Sequence, residues 1–573
     1  MEPLRAWLLP EESDARGSLR ERILWRRGIT SPRDRELFAS PMPRLALLHD
    51  PGTLPGADAV AGVLDRWIQQ GRRIAVYGDY DADGLTAASL LARAMRLFGA
   101  SPRVFIPHRI DDGYGLNAEA LGALQQEGVQ AVVTVDCGIR SFAEAERAAD
   151  LGLELAITDH HAPRRDAQGR VELPRSVAIA HPALGGCPFE AISGSVVALK
   201  VAKRLIRLRA GDRPPDPVLR WMAEVGVSLA ALGLVPDVMP LLDENRVLGA
   251  QALPRLRSGA LPGVPALMRA AGKDPRLIDA GTLAFTLGPM LNAAGRLDDA
   301  NLALQVLETD DPVEAAALAP RLHQLNLQRR ERADALAAEA EARVRSLGLD
   351  ASDRRSIAVG DAAWHPGLIG LAATRLAERF HRPTMVFGGD GEVWKGSGRS
   401  VPGVDLDACL GDCAAMLERF GGHAAAAGGS IRPERFTAFA AAFEEAARSR
   451  MSDAPRPEPL RVDASLSIEE ALQSMAELET LQPFGKGFPP PMLHCPDLRV
   501  RNASVMGQGG KHLKVQVQTA GTGRGGSLLM WSQGERLAEF RPGRKLEAVG
   551  APRASGNPRF APDFQVRDLR FVD

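Results

Sequence analysis

The segment VYGDYDADGLTAASL, residues 76–90, places Asp79, Asp81 and Asp83 between a short apolar run and an amphipathic one. The apolar, β-branched run before Asp79 is typical of a buried strand, and the residues after Asp83 recur with the spacing of a helix. A strand that passes through carboxylates directly into a helix is typical of the ligand-binding edge of an open parallel α/β sheet. The segment therefore predicts this fold class and a candidate site at the same edge.

The same three aspartates also match the start of a calcium-binding EF-hand loop, but the rest of the segment argues against it. With Asp79 as its first residue, such a loop needs a bidentate glutamate at its twelfth position, where this chain has Leu90. A helix should also precede the first aspartate, where this chain has a strand-like run. For this segment taken alone, a solvated aspartate-rich turn stays open as the alternative.

Length and composition limit the class of protein. A chain of 573 residues is too long for one hydrophobic core, and 45% apolar with 25% charged residues is the composition of a soluble globular protein. The five cysteines are scattered without a C-x-x-C pair, which argues against a disulfide framework and a thiolate zinc site. No secretory leader and no run of membrane-spanning length is evident, so we expect a cytoplasmic protein without a membrane partner.

The pattern of runs along the chain predicts several domains. Strand-like and helix-like runs alternate from about residue 70, which indicates a mostly parallel sheet covered by helices. A long Ala/Arg/Glu/Leu stretch ends at Gly348, and a second α/β unit begins at RSIAVGD. After the proline-rich SDAPRPEPLR, short strands and glycine-rich turns predict a small β-barrel. From Leu498 onward 13 Lys/Arg residues stand against 6 Asp/Glu, a net charge of +7 that favours a polyanionic ligand.

Two further strand ends carry candidate metal ligands: Asp136 in VVTVDCG, and Asp159, His160 and His161 in AITDHH. The carboxyl ends of parallel strands lie side by side, so these groups should converge with the first three aspartates. Without cations, so many carboxylates would repel one another and raise their pKa values. Oxygen ligands with an imidazole suit Mg²⁺ or Mn²⁺, and His160 favours Mn²⁺. Carboxylates that bridge two ions about 3.5–4 Å apart are the arrangement of many phosphoesterases and nucleases.

The motifs DYDADG, TVDCG and TDHH resemble the first three motifs of the DHH phosphoesterase superfamily, in the order and spacing of its RecJ nuclease branch. The segments WRRGI, IPHRIDDGYGL, LGPMLNAAGRL, HPGLIGLAATRLAERFHRPT, KGSGRS, FGGHAAAAGG and LQPFGKG resemble the same branch, so the likeness extends over almost the whole chain. It implies a metal-dependent exonuclease, with Mn²⁺ or Mg²⁺ and two ions, that hydrolyses single-stranded DNA from 5′ to 3′ into 5′-mononucleotides in DNA repair and recombination.

The resemblance and the sequence pattern together predict the fold. It is α/β, with a parallel-sheet DHH domain, a long helical connector, a second α/β domain of DHHA1 type and a C-terminal OB-like β-barrel. The expected parts are an N-terminal segment that packs on the core (1–65), the DHH catalytic domain (66–310), the connector (311–348), the DHHA1-type phosphate- and nucleic-acid-binding domain (349–452) and the OB-like single-strand-binding domain (460–573).

By the same resemblance, the metal ligands implied are Asp81, Asp83, Asp136, His160 and, from LGLVPDVMPL, Asp237. Asp79 and His161 are expected beside them, either as further ligands or as residues that orient the ligands. His161 is also expected to align the attacking water or the leaving group. The predicted catalytic set is Asp79, Asp81, Asp83, Asp136, His160 and His161.

The resemblance places the pocket for a terminal 5′-phosphate at KGSGRS, with Ser397 and Arg399 as its ligands and Arg109 facing them. A guanidinium, a hydroxyl and glycine amides make a phosphate site. Held at a fixed distance from the metals, such a pocket would start cleavage at the 5′ end. Tyr77 and Tyr114 are expected to stack on bases. Asn292, Arg296 and His423 are further candidates along the strand, and His365 is expected to serve the backbone.

The chain departs from the family pattern at Ser228, Pro236, Met290 and Phe488. Pro236 bears directly on the assignment of Asp237, and Met290 removes an arginine that could contact phosphate. Two alternatives stay open: a DHH phosphoesterase for small substrates such as oligoribonucleotides, cyclic dinucleotides or pyrophosphate, and a catalytically silent single-strand-binding scaffold. The intact motifs and the basic barrel favour the exonuclease. We expect a monomer, with a helicase and a single-strand-binding protein as candidate partners.

Overall fold

The computed structural model describes residues 6–11, 17–108, 115–166, 168–297, 300–451, 458–520, 523–554 and 562–572. The chain divides into two compact units. The smaller unit consists of Met1–Leu47, Pro240–Ala250 and Pro457–Asp573, and the larger consists of Leu48–Met239 and Gln251–Arg456.

The smaller unit begins with the strand β1 (Trp7–Leu8) and the helices α1 (Leu19–Arg26) and α2 (Pro32–Phe38). Helix α1 starts with a capping box, because the Ser18 hydroxyl accepts the N–H of Glu21 and the Glu21 carboxylate accepts the N–H of Ser18. Ser31 caps α2, and a proline follows at the first helical position, where no N–H is needed.

The larger unit contains the predicted parallel sheet, with strand order β3-β2-β4-β5-β6. All four pairings are parallel, and β2 and β4 are buried along their whole length, which explains their continuous apolar sequences. The carboxyl ends of β2, β4 and β5 therefore share one edge. The elements are α3 (Ala57–Gln69), β2 (Ile74–Tyr77), α4 (Ala82–Arg96), β3 (Arg103–Phe105), α5 (Ala118–Gln126), β4 (Ala131–Val135), α6 (Phe142–Asp150), β5 (Glu154–Thr158) and β6 (Ala178–Ala180).

A layer of helices follows the sheet in the sequence. These are α7 (Gly194–Ala210), α8 (Asp216–Trp221), α9 (Val227–Leu234), α10 (Asp243–Ser258), α11 (Gly263–Ala270), α12 (Ala280–Thr282), α13 (Gly288–Leu297) and α14 (Asn301–Glu308). By length and composition the stretch Asp216–Leu234 could cross a membrane, contrary to the expectation from the sequence, but most of it is buried in the protein. Helix α9 packs against α4 and α7, as a core helix does.

The connector is one helix, α15 (Pro312–Ser346), capped by Asp311. It packs against α11 and α13 and against α16 of the second α/β domain. That domain contains β7 (Ile357–Asp361), α16 (Ile369–Phe380), β8 (Thr384–Gly388), β9 (Trp394–Arg399), α17 (Leu406–Asp412), β10 (Arg419–His423), β11 (Ala426–Ile431) and α18 (Phe436–Arg450). Its sheet has the order β10-β11-β9-β8-β7, parallel between β7 and β8 and antiparallel elsewhere.

The C-terminal part of the smaller unit is a closed barrel, as predicted. Five strands pair in the order β14-β15-β16-β18-β17, and the pairing of β14 with β17 closes the ring. The elements of this part are β12 (Leu460–Arg461), β13 (Ala464–Ser465), α19 (Ile468–Gln473), α20 (Met475–Glu479), β14 (Leu493–Met506), β15 (His512–Thr519), β16 (Gly525–Met530), β17 (Lys545–Arg553) and β18 (Asp563–Phe571).

One departure from the family pattern has a structural explanation. Phe488 is fully buried in the smaller unit, where its ring lies 4.6 Å from that of Phe38 and the guanidinium of Arg27 lies 4.6 Å from its centroid. Arg246 is also buried there, above Phe38, and donates to the carbonyls of Leu481 and Gln482. Burial lowers the pKa of Arg246 to about 9. Phe488 is therefore a core residue of this unit.

Candidate metal centre and phosphate site

The first motif is fixed by hydrogen bonds at the start of α4. Asp81 is the N-cap, and its Oδ1 accepts the N–H groups of Asp83 and Gly84 at 3.0 and 3.1 Å. The N–H of Ala82 is accepted by Oδ1 of Asn292 at 2.6 Å, so α13 completes the cap. The aspartate-rich segment is therefore an ordered helix start.

Asp83 is clamped by the first turn of α7. Its Oδ2 accepts the N–H of Gly194 at 2.6 Å and its Oδ1 accepts the N–H of Ser195 at 3.1 Å. Two glycines allow this close packing. A Cβ on Gly194 would lie 2.5 Å from Oδ1 of Asp136, and a Cβ on Gly233 would lie 2.4 Å from Oδ1 of Asp83.

Asp136 follows β4 with a left-handed backbone, φ +62°, which is uncommon for a residue other than glycine. It is 2% exposed. Burial, together with the charges of Asp83, Asp81, Asp237 and Asp79, raises the pKa of Asp136 well above that of an ordinary aspartate. A strained, desolvated carboxylate among like charges is a typical feature of a functional site.

Asp159 orients the third motif. It is 1% exposed, its Oδ2 accepts the N–H of Ile139, and its Oδ1 accepts the N–H groups of His160 and His161. The same Oδ1 lies 2.8 Å from Nδ1 of His161. Although burial opposes the charged form, the hydrogen bond and the charge of His161 lower the pKa of Asp159. Burial likewise favours the neutral ring of His161, but the hydrogen bond and the charge of Asp159 raise its pKa to about 9.

His160 directs Nε2 at three carboxylates. The distances from Nε2 are 3.1 Å to Oδ1 of Asp136, 3.6 Å to Oδ2 of Asp237 and 3.9 Å to Oδ2 of Asp83. Within the described residues, this buried nitrogen makes no hydrogen bond. Burial and the charge of His161 lower the pKa of His160, which favours the neutral form that binds metals.

Asp237 reaches the same cluster from the segment after α9. Its N–H bonds to the carbonyl of Gly233, and Val238 beside it has φ +58°. Pro236, which departs from the family pattern next to this residue, does not move Asp237 out of the site. The carboxylate of Asp237 lies close to His160. A Cβ on Gly288, the first residue of α13, would lie 2.6 Å from Cβ of Pro236, so the proline is part of the packing around the site.

The ligand atoms form three overlapping groups, within each of which all atoms lie within 4.8 Å of one another: Asp79 with Asp81 and Asp136; Asp83 with His160 and Asp237; and Asp136 with His160 and His161. The donor set, carboxylate oxygens with one or two imidazole nitrogens, fits Mn²⁺ or Mg²⁺. The buried Nε2 of His160 and the raised pKa of Asp136 also fit a cation there. All six predicted catalytic residues and Asp237 therefore lie together in the structure.

Ser397 and Arg399 lie on β9, close to the start of α16. A Cβ on Gly370 would lie 2.9 Å from Oγ of Ser397 and 3.7 Å from Nη2 of Arg399. The two side chains are also near each other, with Nη1 of Arg399 3.5 Å from Oγ of Ser397. They form one polar corner with the glycine backbone, an arrangement that suits phosphate. Arg109, which was expected to face them, lies outside the described residues, as does Tyr114.

The structure gives other environments to several predicted strand-binding residues. Tyr77 is fully buried, packs against Phe105 and donates its hydroxyl proton to the carbonyl of Gly115, so the prediction that it stacks on bases is wrong. Its apolar ring belongs to the core of the sheet. Asn292 caps α4 through its Oδ1, and its place along the strand path stays a prediction.

Arg296 connects the two α/β domains, because its Nη1 donates to the carbonyl of Gly367 at 3.0 Å. His365 accepts the N–H of Gly367 on Nδ1, which agrees with the backbone role expected for it. His423 is exposed at the end of β10. Met290, where the family pattern has an arginine, is fully buried in α13.

Sequence reasoning missed the roles of Asp159, Gly194 and Gly233. Asp159 was recognised as part of the third motif, but the spacing of the motif residues does not show that its carboxylate accepts hydrogen bonds from the backbone of His160 and His161. Gly194 lies against Asp136, 58 residues away in the sequence, and Gly233 lies against Asp83, 150 residues away. The only sequence signal for Gly194 was its position as the first residue of a helix, where a glycine can allow another group to approach closely.

Three family models match the chain: the DHH family, N-terminal domain, at residues 73–226; the DHHA1 domain at residues 354–449; and the RecJ OB domain at residues 462–566. The single-stranded-DNA-specific exonuclease RecJ of Dickeya dadantii is 36% identical over 91% of this chain and 89% of its own length.

Two crystal structures of Thermus thermophilus RecJ are similar in fold. The complex with Mn²⁺ superposes with a TM-score of 0.79 at 30% identity, over 99% of this chain and 79% of that one. The complex with Mg²⁺ superposes with a TM-score of 0.73 at 29% identity, over 99% and 78%. The resemblance inferred from the motifs and the predicted fold are thereby confirmed: the chain belongs to the RecJ family of single-stranded-DNA-specific exonucleases.

Proposed function

We propose that this chain is a metal-dependent exonuclease that hydrolyses single-stranded DNA from its 5′ end into 5′-mononucleotides, in DNA repair and recombination. The observation that carries the proposal is the convergence of Asp79, Asp81, Asp83, Asp136 and Asp237 with His160 on one edge of the sheet. The activity named for the family requires such a centre, and a silent scaffold has no use for buried carboxylates that repel one another.

The proposed resident cofactor is a pair of Mn²⁺ or Mg²⁺ ions. Asp79, Asp81 and Asp136 would hold one ion, and Asp83, His160 and Asp237 would hold the other, with Asp136 between the two groups. When bound, the ions neutralise phosphate oxygens and lower the pKa of water. Asp136 belongs to the first group, and its Oδ1 lies 3.1 Å from Nε2 of His160 in the second, so we expect its loss to disturb both.

The residues around this centre have separate tasks. Asp159 fixes Nδ1 of His161 beside the carboxylates, and we assign His161 to aligning the attacking water or the leaving oxygen. Asn292 and the first turn of α7 hold the aspartates of the first motif in place. These positioning contacts keep the reacting groups in one geometry, which is a large part of catalytic rate.

The corner made by Ser397, Arg399 and Gly370 is the proposed pocket for the terminal 5′-phosphate, together with Arg109. A hydroxyl and a guanidinium beside glycine backbone suit a phosphate dianion. A pocket at a fixed distance from the metal centre sets the polarity and the product length.

The C-terminal barrel is the proposed platform for the rest of the strand. Its excess of cationic side chains attracts the phosphate backbone. Trp531 is 40% exposed on the barrel, and the guanidinium of Arg553 lies 5.5 Å from its ring centroid. An exposed ring beside a cation is the usual element on which bases stack. We further propose that the enzyme acts in the cytoplasm as a monomer, with a helicase and a single-strand-binding protein as partners.

A digestion assay tests the proposal. An oligonucleotide carrying a 5′ or a 3′ label, as single strand and as duplex, is incubated with the protein in Mn²⁺ or Mg²⁺. We expect the 5′ label to appear at once as mononucleotide, from the single strand only. Asp136→Asn should abolish the release, while Asp150→Asn, an exposed acid at the end of α6, should leave it unchanged.

Two results would overturn the proposal in distinguishable ways. Tight binding of the single strand without any cleavage would assign the chain to the scaffold class. Cleavage of dinucleotides or pyrophosphate, with no effect on longer strands, would assign it to the small-substrate phosphoesterases.

A further inference from the structure

The end of β6 adds a further strand end to the edge of the sheet that carries the candidate metal centre. His181 follows β6 directly and is 1% exposed. Strand β6 pairs in parallel with β5, with Ala180 opposite Thr158, so His181 lies beside the third motif, which follows β5. The N–H of Asp159 donates to the carbonyl of Ala180 at 3.2 Å, and this bond joins the two strand ends.

The backbone of His181 is fixed by the loop before α3. Its N–H donates to the carbonyl of Pro55 at 3.1 Å. The next residue of that loop, Gly56, has φ +79° and contacts β6 so closely that a Cβ on it would lie 1.7 Å from the carbonyl oxygen of Ile179. Because no side chain fits between this loop and the strand, the loop gives His181 a tightly packed support.

The ring of His181 makes two hydrogen bonds, and together they define its tautomer. Nδ1 accepts the N–H of Ala183 at 3.0 Å and therefore carries no proton. The proton of the neutral ring is then on Nε2, which lies 2.8 Å from the carbonyl oxygen of His161 and donates to it. Burial lowers the pKa of His181, in agreement with a neutral ring.

The backbone of His161 is thereby held on both sides. Asp159 accepts its N–H and also lies 2.8 Å from its Nδ1, and His181 donates to its carbonyl. The imidazole of His181 is rigid, so it fixes the distance between the turn at Ala183 and the carbonyl of His161. The proposed task of His161, to align the attacking water or the leaving oxygen, depends on where its ring lies.

We propose that His181 is a positioning residue, which orients the imidazole of His161 for the reaction through the hydrogen bond from its own Nε2 to the carbonyl of His161. This inference rests on the proposed function, because the orientation acts on the hydrolysis of the strand. Loss of a residue that orients a reacting group typically costs about 10- to 100-fold in activity. His181 therefore acts on kcat and leaves the affinity for the strand unchanged.

Two substitutions separate the hydrogen bonds of the ring. The side-chain oxygen of an asparagine can take the place of Nδ1, and the amide nitrogen of a glutamine can take the place of Nε2. His181→Asn should therefore keep the bond from Ala183 and lose the bond to His161, whereas His181→Gln should do the opposite.

Digestion of a 5′-phosphorylated oligonucleotide in Mn²⁺ compares the two variants. We expect His181→Asn to lower kcat about 10- to 100-fold at an unchanged KM, because the ring of His161 is no longer held in one orientation. His181→Gln should keep most of the kcat, although its melting temperature should fall because the turn after β6 loses its cap.

His494→Asn is the matched control. His494 is another buried histidine, and its ring has two side-chain partners, Oγ of Ser465 at 3.0 Å and Oε2 of Glu547 at 3.1 Å. It belongs to the smaller unit. The control should therefore have a lower melting temperature and the wild-type kcat, which shows what the loss of a buried imidazole does when the third motif is unchanged.

A measurement without substrate reports on the orientation itself. In protein labelled with ¹³C on its histidine rings, His161→Gln identifies the ring signal of His161 by NMR. In the metal-free protein we expect one sharp signal for the wild type and for His181→Gln. The signal of His181→Asn should be broadened or split, because the ring of His161 then has more than one orientation.

Failure of this inference and failure of the proposed function are distinguishable. If the wild type does not hydrolyse the strand but the ring signal changes as expected, the function is overturned and the positioning contact is supported. If the wild type is active and His181→Asn keeps its kcat, or if both His181 variants lose kcat in parallel with their melting temperatures, the inference is overturned. An unchanged ring signal in His181→Asn overturns it whether or not the protein is active.

Discussion

At the scale of single residues, Asp136 concentrates the electrostatic cost of the site. It is buried, has a left-handed backbone, and faces four other carboxylates. Because its folded-state pKa is raised, protonation favours the folded state. The stability that this carboxyl contributes is fully present below its unfolded pKa and is lost as pH rises through the folded pKa. The metal-free protein should therefore be less stable above the raised pKa of Asp136 than below it.

Asp136→Asn tests this cost. Without metal and above the raised pKa, we expect the variant to be more stable than the wild type, by about 1–3 kcal/mol, because an amide removes a desolvated like charge. Addition of Mn²⁺ should raise the melting temperature of the wild type but not of the variant. Thermal melts with EDTA and with Mn²⁺, across a pH series, measure both effects.

The control for this prediction is Asp150→Asn, which removes an exposed acid away from the site. It should leave the pH dependence and the metal response as in the wild type. A metal-free Asp136→Asn protein that melts below the wild type across the whole pH series would show that the carboxylate has stabilising contacts that outweigh the repulsion.

At the scale of elements, the site depends on helix starts. Asp81 caps α4, Asn292 of α13 accepts the N–H of Ala82, and the first turn of α7 donates to Asp83. Three helices that are distant in sequence thus fix one loop. Besides its predicted place along the strand path, which stays a prediction, Asn292 has a capping role, and this role has a measurable signature.

Asn292→Ala should cost about 1 kcal/mol of stability, the usual loss for a helix cap, and should also lower kcat because the first motif is no longer held in place. Asn117→Ala is the matched control, since Asn117 caps α5 by accepting the N–H groups of Glu119 and Ala120. It should lose similar stability and keep kcat. Equal effects of the two variants on kcat would contradict a positioning role for Asn292.

The elements also show what sequence could and could not provide. The runs before Asp79 and Asp136 predicted β2 and β4 because strands buried on both faces are continuously apolar. Gly194 and Asp83 are 111 residues apart, so their hydrogen bond has no local signal. The burial of Tyr77 could not be predicted either, because the local sequence around an aromatic residue at a strand end is the same whether its ring packs in the core or contacts a ligand.

At the scale of the whole molecule, the chemistry and the proposed strand-binding platform belong to different compact units. The candidate metal centre and the phosphate corner lie in the larger unit, and the barrel lies in the smaller one. We expect changes on the barrel to alter affinity for the strand and to leave the chemical step intact, whereas changes at the carboxylates should do the reverse.

Trp531→Ala tests this separation. The exposed ring lies edge-on to His512, with centroids 4.7 Å apart, and beside Arg553. Loss of one stacked base, worth about 1–3 kcal/mol, should raise the KM for a long oligonucleotide by roughly 5- to 150-fold with kcat unchanged. Trp25→Ala, which removes a ring 59% exposed on α1, is the control. An unchanged KM would place the strand elsewhere on the barrel.

The crowded carboxylates have a consequence for the life of the protein in a cell. Since their repulsion is a cost of folding that a bound cation relieves, metal acts on the folding equilibrium as well as on catalysis. A cell short of manganese or magnesium would hold a larger unfolded fraction, which proteases remove. The abundance of the protein should then follow the metal supply. When metal is limiting, the concentration of the protein should fall first, and the molecules that remain folded should be those that already have metal bound.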